Sequence, residues 1–457
     1  MKNSHEIIIV GAGLSGLAVA HFVKKLQPGT DLLILEKDNR PGGAIQSFHD
    51  QGFLAEWGPH GFLNNTPESQ ELLEDSGLIT KAQLAPLGDF IRFVCHKGRL
   101  VQLPQSPKKL LSTPLLSFTD KLRLVADLWI KPKTTDQSIG EWAAHRFGQG
   151  VLPLVDAAAS GTFAGDFNRL SINAVMPGLR QLEIEAGSVL RGLKKKKKLS
   201  GSSPTRLPAM VSFPLGMEQL VTVLAQGKPI NFATTVTKID RKDDQWTIIT
   251  DQATYHARKL ILALPINLAI TLLTPLAPPP ITRVPMARIV NVVMGFSKTA
   301  KVPFGFGYLA PEREKRFTMG VMFSSHMFPG RTPPDNILLE ALVGGRRHPE
   351  RLDLSDDELI SQVYEDIRQL IELPDKPWFV KVLRPASGIP QMEMDHPALQ
   401  KWLADLTQAH SGLSACGFGW EGIGMNDMIK SARKVAEAAV AGRTTVKDAV
   451  EVKPVYF

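Results

Sequence analysis

Cysteine is nearly absent from this chain: 2 in 457 residues, Cys95 and Cys416, far apart and at no metal-binding spacing. That excludes a disulfide framework and a Cys-based metal site, and predicts two unpaired thiols in a reducing compartment. Tyrosine is almost as scarce, with 4 at positions 255, 308, 364 and 456, so an aromatic cage has few residues to draw on. None of the 11 histidines falls in a metal-ligating or nucleophile-activating pattern, and each is read as surface or satisfied core, with no metal and no catalytic dyad expected. Long hydrophobic runs are missing too. The longest, Leu260 to Leu273, contains Pro265 and Asn267 and is too short for a bilayer span. The start, Met1-Lys2-Asn3-Ser4-His5, runs directly into an apolar stretch and leaves no room for a secretory signal, so a cytoplasmic protein is expected. Basic residues exceed acidic ones by 53 to 45, a net +8 that suits an anionic ligand or surface. No basic and aromatic module accompanies the excess, which argues against nucleic acid as a partner. No internal repeat is present.

What the chain does contain begins at Glu6-Ile7-Ile8-Ile9-Val10-Gly11-Ala12-Gly13-Leu14-Ser15-Gly16. The apolar run reads as a strand buried on both faces, and Leu17, Ala18, Phe22 and Val23 recur at helical spacing, so the glycines fall at a strand-to-helix turn. Gly11 permits the tight turn, Gly13 lets backbone approach a pyrophosphate, and Gly16 lets the helix lie close to the strand. A second strand, Asp31 to Leu35, ends at Glu36, 20 residues beyond Gly16, where a dinucleotide fingerprint places the acceptor for a ribose hydroxyl. A carboxylate there repels a 2′-phosphate and argues against NADP. At 457 residues the chain divides into two or three domains.

Asp38 to Gly43 follows as a second glycine turn, containing Arg40, Gly42 and Gly43. Next comes Gly52 to His60, whose Gly58-Pro59 pair reads either as a hairpin turn or as a piece laid beside a cofactor ring. From Pro67 to about Trp142 the pattern is helical apart from a hairpin at Phe90 to Leu103, in which Arg92 stands beside Phe93 and Val94. Ser160 to Asp166 is a cluster of small residues around Phe163 with no obvious turn to make, and a helix is expected from Val175 to Leu193. The five lysines Lys194 to Lys198, running into Leu199-Ser200-Gly201-Ser202-Ser203-Pro204, read as a mobile solvated loop, with contact to anionic lipid as the alternative. Strands are expected at Ile230 to Ile239, Trp246 to Thr250, Lys259 to Leu264 and Ile289 to Phe296, and a helix around Asp356 to Leu370. The glycine-rich stretch Ala415 to Asp427 then opens a helix from Met428 to Ala441, where amide groups again face an anion or a carbonyl edge.

Two glycine clusters at opposite ends of one chain, with alternating strands between them, resemble the FAD-containing amine oxidase superfamily. Three stretches resemble its protoporphyrinogen oxidase family: Arg92-Phe93 through Leu103-Pro104, Ser160 to Asp166 with Leu170-Ser171, and the closing stretch through Asn426-Asp427. The resemblance implies an α/β fold: a Rossmann-like FAD-binding domain from 1–66, 212–270 and 411–450, an α+β substrate domain from 271–410, and an inserted, mostly helical, membrane-associating domain from 67–211. It implies oxidation of protoporphyrinogen IX to protoporphyrin IX in haem biosynthesis, in three two-electron steps with oxygen as acceptor. By position it assigns Arg92 to a substrate propionate and Gly161 to the macrocycle. It extends the FAD contacts to Leu14, Ser15, Lys37, Arg40, Gly42, Gly43, Gly58, Pro59, His60, Val236, Trp420, Gly422, Ile423, Gly424 and Met425. A peripheral site on the cytoplasmic face of the inner membrane is implied as well, while monomer and homodimer stay open.

The chemistry needs orientation more than a tuned acid or base, because the gain in conjugation drives the reaction. Coproporphyrinogen III is the nearest alternative substrate. A carotenoid-type desaturase would leave Arg92 without a ligand charge, and an amine oxidase would need a cage for which Trp420 supplies one wall. A non-catalytic flavin- or haem-binding partner is the remaining reading.

Overall fold

In the computed structural model, residues 3–105, 107–199, 208–374 and 376–441 are described. The expectations for 200–207 and beyond 441, including the polar stretch Ser200 to Pro204 and the end of the 411–450 segment, lie outside these residues. The expected α/β architecture is present. Strand Ser4–Val10 lies between Leu32–Leu35 and Thr254–Ala263, with Ile230–Asn231 and Leu413–Cys416 extending the parallel sheet on either side. Register aligns Val10 with Leu35, Leu262 and, through Leu262, Ala415, so the loops after these strands leave at one carboxyl edge. Thr254–Ala263 is long enough to carry a second neighbour: its first half pairs antiparallel with Gln245–Thr250, which pairs with Val236–Lys242.

Alternation explains why the parallel strands read as continuous apolar runs. Ile7, Ile9, Leu32, Ile34 and Ile261 pack under helices Leu14–Leu26, Glu218–Ala225 and Met425–Ala441. Ile8, Val10, Leu33, Leu35 and Leu260 pack on the other face, under Ile266–Leu273 and His396–Ala409. Both faces are covered, as a parallel sheet requires.

A second sheet runs in the order Phe379–Leu383, Ile289–Ser297, Asn336–Gly344, Gly320–Met322, Gly307–Leu309, Arg92–His96, Arg99–Gln102. The hairpin holding Arg92, expected within the helical segment, is therefore the edge of the sheet built by residues beyond 271. It joins through a parallel pairing of Arg92 with Gly307 and Val94 with Leu309. One face of this sheet is buried under Asp356–Ile367 by Phe93, Tyr308, Val321, Ala341 and Val292.

Several local expectations are corrected. The hairpin before His60 turns at Gln51 and Gly52, both with positive φ, and not at Gly58-Pro59. Ser160 to Asp166 does make a turn: helix Leu152–Phe163 ends there on Ala164 in the left-handed conformation. The single helix expected from Val175 to Leu193 is three, Ile172–Val175, Pro177–Ala186 and Val189–Leu199. Pro177 starts the middle one, and Gly187, at φ +70°, ends it. The lysine run is not a loop but the end of the third. Lysine is a good helix former, and cations at a helix C-terminus meet the negative end of its dipole, which offsets their mutual repulsion of a few tenths of a kcal/mol per pair.

The helical insertion is tied together by buried charge. Arg146, 0 % exposed, lies 3.1 Å from Asp127 and 3.0 Å from Glu183, and Glu183 is held in turn by Arg180 at 2.6 Å and by Trp142 Nε1 at 2.7 Å. Asp127 also accepts from Ser188 Oγ at 2.5 Å, which fixes the 189–199 helix against the 126–128 turn. Arg146→Ala leaves Asp127 without its cation in a dry site, and is expected to destabilise the protein by roughly 3–5 kcal/mol, read as a drop in the urea midpoint. An unchanged midpoint would show that the network is not a determinant of stability.

Candidate active site

Two glycine turns face each other at the carboxyl edge of the parallel sheet. Gly11 has φ +103°, and a Cβ there would meet Ala263 O at 2.7 Å. At Gly16 a Cβ would strike Gly11 O, so helix Leu14–Leu26 can start this close to the strand only with glycine at that position. Leu14 and Ser15 are buried in its first turn. Gly13 differs: a Cβ there meets nothing within 4 Å, and one at Gly43 meets only Gly13 Cα, at 3.7 Å. Gly42 N donates to Ala12 O at 2.8 Å, joining the turns with Gly13 and Gly43 on the open side. The helix start carries neither a side-chain cap nor an acidic residue, so its first-turn amides are available to a phosphate.

Glu36 closes one end of this cradle. It is buried, and its carboxylate accepts from Ala12 N at 2.6 Å and Asp38 N at 2.9 Å, each oxygen keeping a second lone pair for a ribose hydroxyl. Thr234 N donates to Glu36 O at 2.8 Å, which brings the start of Val236–Lys242 alongside. A bulge between Val236 and Lys238 takes backbone there off the ladder, leaving polar groups for a flat heterocycle edge. Arg40 and Lys37 are placed differently from a phosphate clamp. Arg40 donates to the carbonyls of Pro41, Gly43 and Ile45 and shapes the second turn, while Lys37 is exposed and paired with Asp38 at 2.7 Å.

At the closing stretch, Met425 is buried against the same core as Leu14, so the two glycine clusters are neighbours in space. Asp427 Oδ2 accepts from Gly424 N at 3.3 Å, and a Cβ at Gly422 would strike that carboxylate, so one of the expected free amides is occupied. Ile423 packs on the helical insertion. Trp420 is 2 % exposed among Ile8, Leu262 and Leu406, and its carbonyl accepts from His396 and Gln400. Its ring faces the core and builds no cage wall. Tyr255 and Tyr308 are buried, and Tyr364 bonds Pro374 O, so the described tyrosines build none either.

The other face of the second sheet is covered at one end by Phe53, Ala55 and Trp57 packed on Val293, and Met322 packs against Phe90, Met327 and Phe328. Register places Arg92, Gly307, Met322, Glu340 and Val293 in one row across the strands, and Val94, Leu309, Gly320, Leu342 and Asn291 in the next. Leu309, Met322 and Leu342 are half-buried, so this face is a partly open apolar floor kept flat by two glycines. Arg92 stands at one end. Its Nε is buried without a hydrogen-bond partner, and burial lowers the guanidinium from its usual value. Gly161 is exposed above the floor, where an added Cβ would meet Leu309 Cδ2 at 2.7 Å.

The other end of the row holds a constellation that sequence reasoning missed. Glu340, 0 % exposed, is bound by His60 Nε2 at 2.8 Å, Asn291 Nδ2 at 2.6 Å and Ser324 Oγ at 2.6 Å. Burial pushes its carboxyl up, but the His60 charge, the bonds from His60 and Ser324, and Arg331 reverse this and bring it to about 2. Its stabilising contribution is therefore complete above the ordinary carboxylate range and is lost as pH falls toward 2. Beside it Glu56 pairs with Arg331 at 2.8 Å, and burial raises the Glu56 carboxyl. The available signal was a lone glutamate inside the apolar run Ile337 to Val343, since a charge buried there must be paired. Its partner His60 is 280 positions away, and the bond makes that histidine a satisfied, half-buried one.

Parallel sheet, opposed glycine turns and a buried carboxylate at Glu36 define a protein of the dinucleotide-binding class. The chain matches the flavin containing amine oxidoreductase model over residues 14–440. It belongs to that family, whose cofactor is FAD, and the open cradle at Gly13 and Gly43 fits this group. Among curated relatives, coproporphyrinogen III oxidase of Staphylococcus aureus is 26% identical, covering 95% of this chain and 99% of its own. Protoporphyrinogen oxidase 2 of Arabidopsis thaliana is 26% identical over 95% of this chain and 94% of its own length. Among solved structures, a candidate protoporphyrinogen oxidase of Exiguobacterium sp. 255-15 superposes with a TM-score of 0.80 at 22% identity, covering 96% of this chain and 100% of its own. A UDP-galactopyranose mutase superposes with a TM-score of 0.72 at 14% identity, covering 96% of both chains. At these identities the structural likeness carries the fold alone.

Glu36→Ala is expected to weaken FAD retention by roughly 1.5–3 kcal/mol, because a charge-assisted bond to the ribose is lost. Fluorescence titration of the apoprotein with FAD reads this directly, and equal affinity in both proteins would place the ribose elsewhere.

Proposed function

We propose that the protein is a porphyrinogen oxidase. The observation that carries this reading is Arg92, a half-buried guanidinium with an unpartnered Nε at the end of an apolar floor. A flat, apolar, anionic ligand matches both features: the macrocycle lies on Leu309, Met322 and Leu342, and a propionate meets the planar fork in two parallel bonds. An uncharged polyene would leave that cation desolvated for nothing. Bound FAD supplies a two-electron acceptor. What this chain adds is orientation: Arg92 anchors one edge, while Gly161 lies beside the floor at Leu309.

The substrate in this reading is protoporphyrinogen IX, oxidised to protoporphyrin IX in three two-electron steps with oxygen as acceptor. Coproporphyrinogen III is the second reading, supported by relatives of that name whose lengths the match nearly fills. Product fluorescence with each porphyrinogen, in oxygen and with a quinone, separates the two. No fluorescence from either would sink both. In the same reading 1–66, 212–270 and 411–450 hold the cofactor, 271–410 the substrate, and 67–211 covers it, lending the hairpin of Arg92 to the substrate sheet.

Arg92→Ala is expected to raise KM and lower kcat together, a penalty of roughly 2–4 kcal/mol, with Arg92→Lys restoring little of it. Unchanged kinetics in both variants on FAD-saturated protein would show that Arg92 holds no substrate.

Peripheral membrane contact is part of this reading. Phe118, Leu122, Val125 and Trp129 form one stripe, exposed by 75, 58, 48 and 74 %, beside the helix bearing Leu193 and the exposed lysines 194–196. Among the described residues no helix is long and apolar enough to cross a membrane. The stripe would enter the headgroup region while each lysine near an anionic leaflet contributes about 1 kcal/mol. Phe118→Ser with Trp129→Ser is expected to abolish flotation with anionic liposomes at low salt. Equal flotation of variant and parent, or none by the parent, would remove the stripe as an anchor.

A further inference from the structure

We propose that His60, held by Glu340, is the group that takes the proton released when the substrate is oxidised. The inference rests on the porphyrinogen reading and assigns it a residue that orientation alone does not require. Glu340 faces the same side of the second sheet as Arg92, three strands away, which at about 4.8 Å per strand puts them about 14 Å apart. A ligand anchored at Arg92 and lying along Gly307 and Met322 reaches toward His60. The imidazole is oriented from below. Its Nε2 meets a carboxylate whose other contacts are Ser324 and Asn291, so the ring has one fixed partner and that partner is an acceptor. Nε2 therefore carries the hydrogen. Among the described residues Nδ1 has no partner, and the side chain is 15% exposed.

The backbone around the ring is equally constrained. A Cβ at Gly58 would strike the carbonyl oxygen of Ala44 in the second glycine turn, and one at Gly61 would meet Val211 O at 2.6 Å. His60 is thus pinned between the cofactor turn and the second sheet. The step balances without a further reactant. A hydride leaves the methylene carbon with the C–H pair, for which FAD is the oxidant. The pyrrole N–H pair becomes part of the new conjugated π system, and its proton passes to His60 Nδ1. The resulting imidazolium is stabilised by Glu340 and returns the proton to solvent from its exposed edge. Charged groups around the ring are Glu340, Glu56 and Arg331; Asn291 and Ser324 are neutral.

The test compares the wild type with His60→Gln, which keeps a donor to Glu340 but accepts no proton, and with Glu340→Gln. Anaerobic mixing with porphyrinogen reads bleaching of the bound flavin as a function of pH. Nitrogen NMR of histidine-labelled protein, with His60 assigned by difference, reads the tautomer independently of turnover. Expected in His60→Gln are a folded protein that still binds FAD, a melting temperature lowered by loss of the charge pair, and bleaching slowed by about 10²–10⁴ beyond any loss of FAD occupancy. The tautomer expected is hydrogen on Nε2 with Nδ1 bare. An unchanged rate and profile in His60→Gln would overturn the proposal, as would hydrogen on Nδ1. Loss of FAD and melting temperature in step with the rate would make the pair a strut and overturn it as well. Wild-type flavin that neither porphyrinogen bleaches would remove the functional reading, and this proposal with it.

Discussion

The approach of helix Leu14–Leu26 to the strands beneath it is the contact on which the remainder of the molecule depends. A side chain at Gly16 would strike Gly11 O, and one at Gly11 would meet Ala263 O at 2.7 Å. Both positions must be glycine before the helix can start at the carboxyl edge, and only a helix starting there presents uncapped amides to a phosphate. The same close packing brings Met425 and the closing helix into one core with Leu14, Phe22 and Val23.

A second constraint joins this edge to the sheet above it. The segment Phe53 to His60 belongs to both. Phe53 stacks on Phe379 with ring centroids 4.2 Å apart, Glu56 binds Arg331 and Met217 N, and His60 binds Glu340. Buried ion pairs of this kind contribute little net stability, since desolvation opposes attraction, but removing one partner is costly. They fix which way the two sheets face. The row from Arg92 to Glu340 lies on the side turned toward this junction, and the opposite face of the sheet is sealed by Tyr308, Phe323 and Leu359.

How far the sequence was legible depends on the distance over which each feature is encoded. The strand, glycines, helix and Glu36 lie within one short span, and their spacing alone called the parallel sheet and the cradle. The run at Ile289 to Phe296 likewise read as a strand. Pro177 and Gly187 were visible as breakers but were passed over because the apolar pattern continued through them. The lysine run was misread because charge repulsion was weighed above helix propensity and the dipole. The side chain of Arg40 shapes the second glycine turn and that of Trp420 faces the core, placements that a positional pattern does not specify. The row linking Arg92 to Glu340 is set by strand register across four segments of the chain, which one sequence does not disclose. The pairing of His60 with Glu340 is hidden for the same reason.

The absorbance of the purified protein tests the central claim most directly, followed by anaerobic addition of a porphyrinogen. The account predicts a yellow protein that releases about one FAD per chain on heating and whose visible flavin band bleaches when porphyrinogen is added. A colourless protein that binds NAD, or a bound flavin that no porphyrinogen reduces, would contradict it.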